Sequence, residues 1–353
     1  MKRIKIENRW VGEGEPCFII AELSCNHNQS FDLAVKTLRA AKEAGADAIK
    51  LQTFSLDAIT LDCNSKYFQI DHGTLWDGTT LYELYKKAYT PWEWLPDLMA
   101  MAKKLGLICF SAPGDKAAVD YLEKLGVPAY KIASFEITDL PLIEYVAAKG
   151  KPLILSTGIA TREDIEEALS TCFNQGNDQI ALLKCLSAYP APPEESNLKM
   201  IPYLENEFQT VVGLSDHSLG STVPLVAIPL GAKIIEKHFI IDRKLNSLDS
   251  EFSMEPAEFK EMVRSVREAE SILGKVGFEL TEKIIMNRKF CRSLFVVEDI
   301  KKGAVFSGKN VKSIRPGYGL PPKNIKAIIG EKAGRDIEKG TPLGWDLLDS
   351  EGK

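Results

Sequence analysis

IIEKHFIID, residues 234–242, holds Ile234, Ile235, Phe239, Ile240 and Ile241, all apolar and strand-forming, with Glu236, Lys237 and His238 in their midst. The apolar residues ask for a buried strand. Three adjacent titratable side chains in such a strand ask for a reason, because buried charge is costly unless paired. One arrangement supplies it. In a parallel barrel, packing along a strand gives way to chemistry at its C-terminal end.

Seven further runs have the same near-continuous apolar character: CFIIAEL (17–23), DAIKLQTF (47–54), LICFSAP (107–113), AYKIASFE (129–136), PLILSTG (152–158), IALLKC (180–185) and TVVGLSDH (210–217). Such runs suit strands covered on both faces. Between them lie amphipathic segments. In SFDLAVKTLRAAKEAG, Ala34, Leu38 and Ala41 recur at helical spacing, with Ser30 placed to cap the start and Gly45 just past the end. TREDIEEAL opens on a capping-box pair, Thr161 and Asp164, and Pro256 starts a helix whose Phe259, Val263, Val266, Ala269 and Leu273 share a face. Eight strand–helix units predict a (β/α)8 TIM barrel over residues 1–275. A doubly wound open sheet is the alternative, and the lack of G-x-G-x-x-G after the first run counts against its dinucleotide-binding form. Residues 55–89 are long for a connection and rich in aromatics, which predicts an ordered cover over the barrel mouth. Residues 276–290 read as a linker. Residues 291–353, rich in Gly, Pro and Lys with short β-like runs, read as a separate small domain.

The 353 residues are 45% hydrophobic and carry a net charge of −5, with acidic and basic residues interleaved. No basic stripe points to nucleic acid and no polybasic patch to a membrane surface. No apolar run reaches the roughly 20 residues of a membrane span, and the N-terminus has no signal-like apolar region. Cys17, Cys25, Cys63, Cys109, Cys172, Cys185 and Cys291 are scattered without a C-x-x-C, as in a reducing, cytoplasmic setting.

The polar residues that end the runs are the candidates for chemistry: Glu22; Lys50 and Gln52; Ser111; Lys131, Ser134 and Glu136; Ser156 and Thr157; Lys184, Ser187 and Tyr189; Ser215, Asp216 and His217; Glu236, Lys237 and His238. Lys50, Lys131 and Lys184, with the serines among them, can form a pocket for a compact phosphate or carboxylate. Alternatively, each lysine pairs with a barrel carboxylate such as Glu22 or Glu136. His217 and His238 end adjacent runs. They can share a divalent metal, form a structural pair, or include a single catalytic histidine, with Asp216 and Glu236 as candidate orienting groups. His27, in CNHNQ, is open to substrate contact or loop hydrogen bonding; His72, in the long connection, reads as solvated.

Taken in order, IAELSCNHNQ, AIKLQTF, YKIASFEI, STGIAT, LLKCLSAYPA, GLSDHSLG and IEKHFIIDR resemble the sialic acid synthase family, phosphoenolpyruvate-dependent enzymes that make nine-carbon 2-keto acids. RSLFVVEDIKKGAVFSGKNVKSIRPGYGLPP resembles the antifreeze-like (SAF, β-clip) domain that ends the family, so the resemblance spans nearly the whole chain. AELSCNHNQ, DHGTLWDGTTLYELYKKAYTPWEW and LDSEFSM look like the pseudaminic acid branch rather than the N-acetylneuraminate or legionaminate branches.

The resemblance implies condensation of phosphoenolpyruvate with 2,4-diacetamido-2,4,6-trideoxy-L-altrose, with phosphate leaving by C–O cleavage. It implies a divalent metal, Mn²⁺ or Mg²⁺ with Co²⁺ as a further option, on His217 and His238. It puts Lys50, Lys131, Ser134, Ser156 and Ser215 around phosphoenolpyruvate, with Ser111, Ser187 and Tyr189 beside them. Gln52 and Lys184 join the substrate-facing set from the strand-end reading. The resemblance also sets Glu22 near C2 of phosphoenolpyruvate, Glu136 and Asp249 at the amino sugar, and Arg315 reaching a neighbouring subunit's site in a domain-swapped homodimer. Rival readings are a sugar- or ice-binding protein and a Schiff-base aldolase using Lys131 or Lys184.

Overall fold

The computed structural model describes residues 2–71 and 73–349; His72 lies outside them. Twelve strands occur among the described residues. They are β1 (Arg3–Ile6), β2 (Arg9–Gly12), β3 (Phe18–Glu22), β4 (Ala48–Thr53), β5 (Ile108–Pro113), β6 (Tyr130–Ile132), β7 (Leu153–Ser156), β8 (Ile180–Cys185), β9 (Val211–Asp216), β10 (Ile234–His238), β11 (Ser293–Val296) and β12 (Val311–Ile314). β3 to β10 close into a parallel barrel in chain order, β10 pairing with β3. All eight apolar runs of the sequence are therefore barrel strands.

A helix follows each barrel strand: α1 (Phe31–Glu43), α2 (Leu95–Leu105), α3 (Lys116–Leu125), α4 (Leu140–Ala147), α5 (Arg162–Asn174), α6 (Met200–Phe208), α7 (Thr222–Ala227) and α8 (Pro256–Leu273). Ser30 caps α1 by accepting from the Leu33 amide, and Gly45 follows its end at φ 92°. Thr161 and Asp164 form a reciprocal capping box on α5.

Side chains alternate across each strand, so parity sorts the barrel. Phe18, Ile20, Ala48, Phe110, Ile154, Ala181, Leu183, Val211 and Ile234 fill the interior. Ile19, Ile49, Leu155, Leu182, Val212 and Ile235 pack outward against the helices. Gly213 has interior parity, and a Cβ there would meet Ile234 O at 2.5 Å and Leu183 Cδ2 at 2.7 Å, so only glycine fits. The sequence reading missed the antiparallel β1–β2 hairpin, whose Ile4, Ile6 and Val11 join the interior cluster. Strands of four residues give too little alternation to stand out.

The 55–89 connection carries two short helices, Leu56–Ile59 and Leu81–Ala88. Trp76 Nε1 donates to Leu248 O at 3.2 Å, fastening the connection to the loop after β10.

The chain divides after Gly274 into two units. In the second, β11 pairs antiparallel with β12 over a core of Leu294, Val296, Ile300, Phe306, Val311, Ile328 and Leu343. The 276–290 stretch, read as a linker, includes a helical turn over Glu282–Asn287. Among the described residues no helix is long and apolar enough to cross a membrane.

Candidate active site

Parity also sorts the titratable residues of 234–242. Glu236 and His238 share the inward face with Ile234, while Lys237 points outward with Ile235. Glu236 is the hub of the mouth. Lys50 Nζ donates to its Oε1 at 2.8 Å, Lys131 Nζ lies 3.3 Å from the same oxygen, and Ser215 Oγ donates to it at 3.3 Å. Lys50 Nζ also lies 2.8 Å from Glu22 Oε2. Burial pushes the Glu236 carboxyl up, but Lys131 and Lys50 outweigh it and hold its pKa at about 2. Burial, against the pull of Glu236, brings Lys50 down to about 8.

Lys50 thus pairs with two barrel carboxylates, as the pairing reading expected. It also lines a cavity with Lys131, Ser134, Ser156 and Ser215, as the pocket reading expected. Ser156 Oγ, Ser187 Oγ and Glu236 Oε2 are buried without a protein hydrogen-bond partner. Buried polar atoms are seldom left so; Ser156 and Glu236 line the cavity and can contact a ligand there, while Ser187 lies outside the lining. Gly158 belongs to the same cradle: a Cβ there would meet Ser187 Oγ at 2.2 Å and Ser134 Oγ at 2.7 Å.

His217 and His238 stand with ring centroids 5.2 Å apart, and Phe252 packs edge-on against both. His217 Nδ1 donates to Leu186 O at 3.0 Å. His238 Nδ1 lies 3.3 Å from Asp249 Oδ2, which accepts from Ser24 Oγ at 2.5 Å. Each Nδ1 is thus turned to a protein oxygen, which leaves Nε2 as the atom that would ligate a metal. Among the described residues no cluster of three His, Cys, Asp or Glu side chains could hold a metal. A pair of histidines with no third protein ligand suits only an open site, whose remaining ligands would be water or substrate oxygens. The charge balance fits as well. Two lysines facing two carboxylates leave the cluster near neutral, and a divalent cation on two neutral imidazoles would add the positive charge that an anionic substrate needs.

Gln52 and Glu136 line the cavity too, and burial raises the Glu136 carboxyl against the pull of Lys131. Tyr189 lines it, packed on His217 at 4.5 Å. Asp249, expected at the sugar, lines it while turned toward His238. Glu22 is fully buried beneath the lining, Oε1 accepting from the Ser24 amide at 2.9 Å and from Gln52 at 3.3 Å.

Three expectations fail on parity. Ser111 points outward and exchanges a hydrogen bond with Thr53 Oγ1 at 2.7 Å. Lys184 alternates with the inward Leu183 and Cys185, so it too takes the outward face, and its Nζ donates to Cys185 O at 2.7 Å. Lys184→Met is accordingly expected to keep turnover within about threefold of wild type, whereas Lys131→Met loses about 100-fold or more, as expected for loss of a charge-assisted contact; steady-state assays of the two decide it. Asp216 also points outward and makes no hydrogen bond to the His217 ring; its carboxylate is bonded to Lys237 and Ser218 instead. His27 is buried away from the cavity. Its Nδ1 accepts from the Gln29 amide, Nε2 donates to Thr90, and burial pushes its pKa down to about 4, so it is a neutral structural residue. Arg315 lies exposed in the second unit, next after β12. The sequence reading left out Phe252 and underrated Glu236, whereas Trp76, one of the aromatics of 55–89 expected over the mouth, does line the cavity. Its parity with His238 was the available signal for Glu236.

Residues 37–277 match the NeuB family and residues 292–349 the SAF domain. The chain belongs to the NeuB family. A pseudaminic acid synthase from Campylobacter jejuni is 48% identical over 92% of this chain and 95% of its own length. One from Helicobacter pylori is 47% identical over 95% and 98%. A crystal structure of the spore coat polysaccharide biosynthesis protein SpsE from Bacillus subtilis superposes with a TM-score of 0.68 at 37% identity, covering 98% of this chain and 99% of that one. This NeuB-family chain is an enzyme of the phosphoenolpyruvate-condensing sialic acid synthase type, and its cavity is the candidate catalytic centre.

Proposed function

We propose that the enzyme is a pseudaminic acid synthase, condensing phosphoenolpyruvate with 2,4-diacetamido-2,4,6-trideoxy-L-altrose and water to give pseudaminic acid and phosphate. The observation that carries this reading is the junction, in one cavity, of a lysine–serine cradle with an open pair of histidines. The 48% identity to the Campylobacter enzyme supports the choice of sugar.

Lys50, Lys131, Ser134, Ser156 and Ser215 hold the phosphate and carboxylate of phosphoenolpyruvate. His217 and His238 would hold a divalent cation, Mn²⁺ or Mg²⁺, which when bound supplies Lewis-acid polarisation of the sugar's aldehyde oxygen. Held in reach, C3 of phosphoenolpyruvate attacks the aldehyde carbon and leaves cationic character at C2. Glu22, its oxygens already engaged by Lys50, Ser24 and Gln52, acts on that charge through its field rather than as a free base. Water adds at C2, and the tetrahedral intermediate expels phosphate with the bridging oxygen. Arg315 of a second copy, in a domain-swapped dimer, would contact the acetamido group.

Phosphoenolpyruvate labelled with ¹⁸O at the bridging position tests the bond cleaved. The label is expected in released phosphate; label kept in the sugar acid overturns the scheme.

A further inference from the structure

The mechanism leaves Lys237 unused, although it stands between Glu236 and His238. Its side chain takes the outward parity, into the layer between barrel and helices, and is fully buried. An apolar side chain would fill that place without electrostatic cost, since apolar residues of similar volume commonly match or exceed a buried ion pair in stability. What the charge provides is direction. Lys237 Nζ donates to Asp216 Oδ2 at 2.5 Å and to the main-chain carbonyl of Ser218 at 2.5 Å. Asp216 in turn accepts from the Ser218 amide at 3.0 Å and from the Ser218 hydroxyl at 3.0 Å.

The register sets Lys237 directly opposite Asp216, so the pair ties the last residue of β9 to β10 one residue before His238. These bonds fix the residues on both sides of His217. Its own carbonyl accepts from the Ala191 amide at 3.0 Å, so the main chain of His217 is held from two directions. The pair faces away from the cavity and lines none of it. Any effect on the site must therefore pass through the backbone.

We infer that the Lys237–Asp216 pair is a positioning device, holding His217 against β10 so that both imidazoles reach one divalent cation. The inference rests on the proposed metal reading. The test is a calorimetric Mn²⁺ titration of the full chain, run beside thermal melting. The comparison is wild type, the apolar double variant Lys237→Met/Asp216→Leu, and Ser218→Ala, which removes one hydroxyl bond. The double variant is expected to melt near wild type yet bind Mn²⁺ at least about tenfold more weakly, as when groups supporting a metal ligand are lost. Ser218→Ala is expected to weaken binding about threefold with unchanged melting. Wild-type affinity in both variants overturns the inference alone. No uptake by wild type removes the metal reading and this inference with it. If the double variant does not fold, Ser218→Ala decides: weaker binding supports the device and unchanged binding overturns it.

Discussion

Glu236→Gln is expected to destabilise the barrel unit by about 3–5 kcal/mol, the range seen when one partner of a buried ion pair is removed. The amide keeps the shape of the side chain but leaves Lys131 without its carboxylate and Lys50 with Glu22 alone. The loss carries a pH signature. Lys50 has a folded pKa of about 8 against 10.5 for the free side chain, so between those values the unfolded chain holds more protons and stability from this group rises with pH. Glu236 is the main influence holding that pKa up, so in the variant the rise begins below pH 8. The gap to wild type therefore narrows as pH is raised. Denaturant titrations across pH 7–10 measure this. A second signature is ligand rescue: inorganic phosphate, an anion offered to two under-neutralised ammoniums, is expected to raise the melting temperature of the variant more than that of wild type. Equal stability of the two proteins would remove Glu236 from the centre of the site.

His217→Ala and His238→Ala are each expected to lower kcat/KM for phosphate release by about 1,000-fold or more, because each removes one of the two nitrogens that would hold the proposed cation. Phosphoenolpyruvate affinity is expected to stay within about threefold of wild type, since the lysine–serine cradle is untouched. Steady-state kinetics with defined metal, alongside equilibrium binding of phosphoenolpyruvate, separate the two effects. Retention of turnover within tenfold in either variant would refute the histidine assignment.

Much of this was legible in the sequence for definite reasons. The eight apolar runs gave the barrel because a strand covered on both faces needs apolar residues at nearly every position, and Ser30, Gly45 and the Thr161–Asp164 pair marked helix ends by their own hydrogen-bonding chemistry. The strand-end polar residues gave the mouth. What the list of strand ends lacked was parity. Lys131 and Lys184 look alike in AYKIAS and ALLKCL, yet one faces the cavity and the other the helices. Ser111 fails and Ser156 succeeds for the same reason. Applying period-two alternation from the inward His238 would have kept Glu236 and set Lys237 apart. Phe252 had no such signal, because its approach to the mouth depends on a loop whose course no local pattern sets, whereas the aromatic richness of 55–89 did point Trp76 to the mouth.

The stretch IIEKHFIID, residues 234–242, thus divides its charges by face: Glu236 gathers the lysines, His238 meets His217, and Lys237 braces the strand from behind. The central claim is that this mouth joins phosphoenolpyruvate to one particular sugar. The direct measurement is phosphate release from phosphoenolpyruvate with 2,4-diacetamido-2,4,6-trideoxy-L-altrose, N-acetylmannosamine and the legionaminic acid precursor, compared as kcat/KM. The trideoxy-altrose is expected to exceed each of the others by about 100-fold, the discrimination available to a pocket that fits its substituents. Equal or faster turnover of either alternative sugar would contradict the assignment.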